Sequence, residues 1–123
     1  MNEKVDNIIE TKSFNFAVRI IRLYKLLIQE RKEFVLSKQL LRSGTAIGAL
    51  VKEAINAESK ADFIHKLGIA QKECGESIYW IELLKETEFI DSKEFNAIFD
   101  DANEILKILR SIIISSKKTV INS

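Results

Sequence analysis

Apolar residues recur along this chain at intervals of three and four, the spacing that gathers them on one side of a helix. In the first such segment the positions are Phe14, Ala17, Val18, Ile21, Tyr24, Leu27 and Ile28, and Ile20 and Leu23 widen the face. Arg19, Arg22 and Lys25 line the narrower polar flank, and the pattern predicts a helix over about 13–29. A second helix is expected over about 38–56, carried by Leu40, Leu41, Ile47, Leu50, Val51, Ala54 and Ile55. Ser37 has the chemistry of its N-cap, with Leu36 and Leu41 placed as a hydrophobic staple. Ser59-Lys60-Ala61-Asp62 is a capping box opening a third helix over about 60–86, whose apolar positions include Phe63, Leu67, Ala70, Cys74, Ile78, Ile81 and Leu84. Asp91-Ser92-Lys93-Glu94 opens a fourth over about 92–116, with Ile90 and Phe95 as its staple. Phe95, Ile98, Phe99, Ala102, Ile105, Leu106, Leu109, Ile112 and Ile113 give it the cleanest period in the chain, and the tail from Ser115 to Ser123 is expected to fray.

Four long helices with short connections predict one all-α domain over 1–123, an antiparallel up-down-up-down four-helix bundle. Ile112, Ile113 and Ile114 are consecutive, and at about 100° per residue they cannot all face one core. Ile20 with Ile21, and Leu26 through Ile28, raise the same difficulty on the first helix. The surplus apolar surface calls for a partner, for which a symmetric homo-oligomer is the commonest solution. A wide face on a tightly packed monomer is the alternative.

One stretch of the second helix looks wrongly composed. Ser43-Gly44-Thr45-Ala46-Ile47-Gly48-Ala49 places two glycines four residues apart in a helix interior, where each costs about 1 kcal/mol against alanine. Gly44 and Gly48 therefore read as a packing notch, inside the bundle or at a subunit seam. Gly68 and Gly75 on the third helix suggest a similar close approach there.

Composition narrows the classes. Proline is absent and only four glycines occur, which favours long helices over many turns. Cys74 is the single cysteine, so no intrachain disulfide forms and a reducing, cytoplasmic setting is expected. The start of the chain has no signal-peptide pattern, and no apolar run is long enough to span a membrane. The net charge of +1 hides an asymmetry: residues 12–42 sum to +6 and residues 43–104 to −7. Such a division marks either a polyanion-binding face or helices of opposite charge packed side by side.

Signals for chemistry are thin. His65 is the only histidine; with Asp62 it forms half of the carboxylate–histidine arrangement a bundle di-iron site uses, and no second histidine exists to complete it. No metal, cofactor or catalytic residue is expected. Gly44 to Gly48 lacks the length and the lysine of a phosphate-binding loop. Tyr79-Trp80 fits core or interface packing, as do Ile112, Ile113 and Ile114. The basic residues offer more. Arg19, Arg22 and Lys25 share one helix edge, and Arg31, Lys32, Lys38 and Arg42 continue the positive character around the first connection. These seven are candidates for phosphate contacts that position a nucleic acid without reading bases.

The runs KQLLRSGTAIGALVKEA (Lys38–Ala54) and NAESKADFIHKLGIAQKECGESIYWIELL (Asn56–Leu84), with FAVRIIRLYKLL (Phe16–Leu27), resemble the bacterial 23S rRNA-intervening sequence proteins. The resemblance implies an antiparallel four-helix bundle assembled as a ring-like homopentamer, with no associated enzymatic activity. A relative similar in fold, the accessory variability determinant protein of diversity-generating retroelements, partners a reverse transcriptase and nucleic acid through basic surfaces. The family pattern usually has Ser and Asn where this chain has Ala46 and Leu50, so any polar contact through those two positions is lost here. The expected function is that of a non-enzymatic, cytoplasmic homo-oligomer binding RNA or DNA through its basic surface. The alternatives are a protein-interaction scaffold, with a reverse transcriptase or another protein as partner, and a metal-dependent bundle enzyme built on Asp62 and His65.

Overall fold

The computed structural model describes the backbone of residues 3–122 and the side chains of residues 7–119. Four helices, α1 (Glu3–Gln29), α2 (Leu36–Ile55), α3 (Lys60–Glu86) and α4 (Ser92–Asn122), account for nearly all of it, with no strand among the described residues. Each helix packs on the next in sequence, and α4 closes against α1, so the arrangement is a four-helix bundle of up-down-up-down order. The core is aliphatic: Ile9, Phe16, Ile20 and Leu27 meet Leu40, Ile47 and Val51 of α2, Leu67, Ile81 and Leu84 of α3, and Ile105 and Leu109 of α4.

All four expected helices are present, and α1 and α4 are longer than expected. α1 begins at Glu3, ten residues before its apolar period becomes visible. α4 continues to Asn122 through the segment expected to fray, and Ser123 lies outside the described residues. The capping boxes of α3 and α4 differ in completeness. Ser59 Oγ accepts the Asp62 N–H at 3.0 Å. At α4 the exchange is reciprocal: Glu94 N–H donates to the Asp91 carboxylate at 2.8 Å, and Asp91 N–H to the Glu94 carboxylate at 2.9 Å.

The start of α2 departs from expectation. Ser37 is not its N-cap; that position is Val35, whose side chain has nothing to offer the orphan donors. Glu33 caps from outside the helix instead. Its carboxylate accepts the N–H groups of Val35 at 3.1 Å, Leu36 at 2.9 Å and Ser37 at 2.6 Å. The Ser37 hydroxyl donates back to the Glu33 carbonyl at 2.8 Å, closing a compact loop. An ionised carboxylate at the positive end of a helix does what a serine N-cap does, and more strongly.

The first helix also turns a different face inward than its period suggests. Its core side is Ile9, Ser13, Phe16, Ile20 and Leu27, whereas Phe14 is 65% exposed and Ile21 also faces outward. Phe14, Ala17, Ile21, Tyr24 and Ile28 form a second apolar stripe beside the core-facing one. Two adjacent stripes on one helix share the 3–4 spacing, so the period alone does not say which of them meets the core.

The glycine-bearing stretch is explained by crowding from both sides. A Cβ on Gly44 would lie 2.9 Å from Ile20 Cγ1, so Gly44 admits α1 closely, whereas one on Gly48 would lie 3.4 Å from the Ser13 carbonyl oxygen, in contact with the α1 backbone but without a clash. On the other flank of α2, the buried Ser43 hydroxyl sits 2.8 Å from that of Ser77, which also reaches the Glu73 carbonyl at 2.9 Å. Gly68 and Gly75 are different: nothing lies within 4 Å of a Cβ at either, so the close approach expected on α3 is absent within the chain. Ala46 is half-buried, and Leu50, also half-buried, packs against the core.

Candidate nucleic-acid interface

Ion pairs bind the surface of the bundle along its helix–helix seams. Arg19 pairs with Asp101 and donates to the Ala97 carbonyl, and Lys12 reaches Glu104 at 2.8 Å, both linking α1 to α4. Arg42 of α2 forks over Glu73 and Glu76 of α3, and Glu76 also accepts from the Trp80 indole at 3.4 Å. Lys66 joins α3 back to Glu53 of α2 at 3.1 Å. The basic first third therefore lies partly against the acidic remainder, as helices of opposite charge packed side by side.

Arg31, like Arg42, makes three hydrogen bonds to two residues. It donates to both carboxylate oxygens of Glu94 at 2.9 and 2.8 Å and to the Phe89 carbonyl at 2.7 Å, tying the α1–α2 connection to the α3–α4 connection. The guanidinium bond holds the Glu94 carboxyl below its ordinary range, against the opposing effect of burial, and the capping bond from Asp91 adds to it. Glu94 thus serves as both helix cap and ion-pair partner.

The seven candidate cations separate into two groups. Arg19, Arg31 and Arg42 hold helices together. Arg22, Lys25, Lys32 and Lys38 are exposed and have no ion-pair partner among the described residues. Arg22 and Lys25 are on the outer side of α1, Lys32 is in the connection with a left-handed φ of 57°, and Lys38 is in the first turn of α2. Between Arg31 and α2, the connection also exposes Phe34 at 59% and Val35 at 70%. In the sequence this segment reads only as a connection; an aromatic residue set among Arg31, Lys32 and Glu33 was the available signal.

Among the other candidates, Tyr79 is exposed and packs edge-on against the half-buried Trp80 at 5.2 Å between ring centroids. Ile112 and Ile113 are buried, while Ile114 is 56% exposed, as three consecutive isoleucines require. A groove of about 390 Å³ runs between α1 and α2, with Phe14, Ala17, Thr45, Gly48 and Ala49 along it and Glu10 and Lys52 at one end.

Among the described residues no group of three or more His, Cys, Asp and Glu could hold a metal ion, and His65 is exposed on α3. Cys74 is buried with its thiol against the Ala102 carbonyl at 3.2 Å, and burial pushes its pKa up to about 12 despite the nearby Arg110 charge. Among the described residues no helix is long and apolar enough to cross a membrane.

Fold and surface together define an all-α bundle with a divided set of basic residues. The chain belongs to the 23S rRNA-intervening sequence protein family, which matches residues 5–111. Among solved structures it is similar to a protein of unknown function from the S23 ribosomal protein family of Bacteroides thetaiotaomicron. The two are 56% identical, with a TM-score of 0.88 over 89% of this chain and 97% of the other. No curated protein is significantly similar to the chain.

Proposed function

We propose that the protein is a non-catalytic homo-oligomer that binds RNA or another nucleic acid through the exposed cations of α1, the first connection and α2. The observation that carries this reading is the division of the basic residues. Arg22, Lys25, Lys32 and Lys38 remain in solvent, and no carboxylate among the described residues pairs with them, although acidic side chains are abundant elsewhere on the surface. Cations left free can displace the counterions of a phosphate backbone; cations already paired must first give up a partner.

Self-association is supported by the outer stripe of α1. Phe14 and Ile21 are large, apolar and exposed, and the groove beside Phe14 is lined by small residues of α2 that leave room for an inserted side chain. A ring of subunits, pentameric as the family resemblance implies, would repeat the basic patch and turn weak contacts into avidity. The same exposed stripe favours the second reading, a scaffold that engages a different protein there.

Binding to a structured RNA across a salt series tests the proposal. The expected result is a steep fall in affinity with salt and weaker binding for Arg22→Glu. Salt-insensitive binding, or none at low salt, would rule the proposal out. Retention of a protein partner after nuclease treatment and in high salt would favour the scaffold.

A further inference from the structure

Resting on that reading, we infer that Phe34 is a stacking platform for an unpaired nucleobase, which directs the protein toward single-stranded segments rather than duplex. The ring is 59% exposed in a connection only six residues long, just before the N-cap of α2, with no other aromatic ring packed on it among the described residues. Lys32 stands two residues before it and Lys38 four residues after, both exposed, so the aromatic face has a cation on either side along the chain. Proteins that hold single strands combine these two elements, because every base offers a π-face and every nucleotide a phosphate.

The display is held in place by the backbone. A flexible connection could fold an exposed phenylalanine back onto the bundle. Here Glu33 fastens the three N–H groups that follow Phe34, the Glu33 N–H donates to the Leu27 carbonyl at 2.9 Å, and Arg31 anchors the other side to Phe89 and Glu94. A platform fixed in this way loses little conformational freedom when a base stacks on it. A membrane surface could also take an exposed Phe34–Val35 pair beside lysines. Glu30, Glu86, Glu88 and Asp91 are exposed at the same end of the bundle, however, and an anionic bilayer meeting that end would be repelled by them. A single strand is narrow enough to follow the α1–α2 side, where Glu30 is the one exposed carboxylate of the connection, and to avoid Glu86, Glu88 and Asp91.

The experiment compares the affinity of the full chain for a short oligouridylate and for an RNA duplex of equal length, using Phe34→Ala, Phe34→Leu, Phe34→Trp and the double variant Lys32→Gln/Lys38→Gln. Phe34 is outside the core cluster, and circular dichroism is the control that each variant is folded. Phe34→Ala is expected to weaken single-strand binding roughly tenfold and leave duplex binding unchanged. Tryptophan should restore the single-strand affinity and leucine should not, because stacking needs a π-face rather than apolar bulk. Equal binding by the alanine or leucine variant overturns the inference. If the double lysine variant still weakens both ligands in that case, the polyanion reading stands and stacking alone fails; if it weakens neither, both fail. Phe34-dependent binding to phosphatidylserine vesicles without single-strand preference also overturns it.

Discussion

Replacing Glu33 tests how this chain starts a helix without a serine cap. The residue is only 6% exposed, and its carboxylate serves Val35, Leu36 and Ser37 at once. Hydrogen bonds to a charged group contribute about 1.5–3 kcal/mol, and losing an N-cap costs about 0.5–2 kcal/mol. Glu33→Ala removes both effects and leaves the N–H of the buried Ser37 without its acceptor, so a loss of about 2–3 kcal/mol is expected. Glu33→Gln keeps one acceptor oxygen but sets an amide NH₂ against a backbone donor, and should cost about 1–2 kcal/mol. Urea unfolding at fixed protein concentration measures both through the midpoint, with the slope unchanged. The dependence on pH follows from the sign of the shift. Burial pushes the Glu33 carboxyl up, and the three backbone donors more than offset it, so the folded state holds the group below its ordinary range. The stabilisation is therefore complete above the unfolded carboxyl pKa of about 4.3 and disappears as pH falls through the lower folded value. The gap between the native protein and Glu33→Gln should narrow on acidification. A glutamine variant within about 0.3 kcal/mol of the native protein at pH 7 would refute the capping account.

Three further substitutions should shift stability, not all in the same direction, and a fourth tests assembly. Gly44→Ala should destabilise by about 1–2 kcal/mol, because the clash with Ile20 outweighs the gain in helix propensity, whereas Gly75→Ala, facing open space, should stabilise by about 0.5–1 kcal/mol; thermal unfolding of the pair checks both. Glu88 follows the Thr87 C-cap of α3 with a left-handed φ of 67°, its N–H donating to the Lys85 carbonyl at 3.1 Å and that of Phe89 to the Leu84 carbonyl at 2.9 Å. Glu88→Gly should raise stability by about 1 kcal/mol in urea unfolding, since glycine adopts that conformation without steric cost. Phe14→Asp should reduce the mass seen by light scattering while the helical circular dichroism persists, and an unchanged mass would remove the outer stripe of α1 from the subunit contact.

Much of the bundle was legible in the sequence because α2 and α4 each have one dominant apolar stripe, and because capping boxes mark where α3 and α4 begin. α1 was harder to read. Phe14, Ala17 and Ile21 share their spacing with the core residues Phe16 and Ile20, and only packing against α2 distinguishes the two stripes. Glu33 was invisible as a cap because its bonds run forward from outside the helix, a pattern with no fixed motif. The basic residues could be counted but not sorted. Whether Arg19 or Arg22 is free depends on Asp101, about eighty positions away in the chain and next to one of them only after folding.

The sorting of those cations is also the most direct test of the proposed function. The slope of log affinity against log salt for a single-stranded RNA should flatten by about 3 when Arg22, Lys25, Lys32 and Lys38 are all changed to glutamine, at roughly 0.7 for each phosphate no longer neutralised. Changing the paired Arg19, Arg31 and Arg42 to glutamine should instead lower the unfolding midpoint and move the slope by less than about 1. An unchanged slope in the first variant, or an equal flattening in the second, would contradict the assignment of the free cations as the nucleic-acid surface.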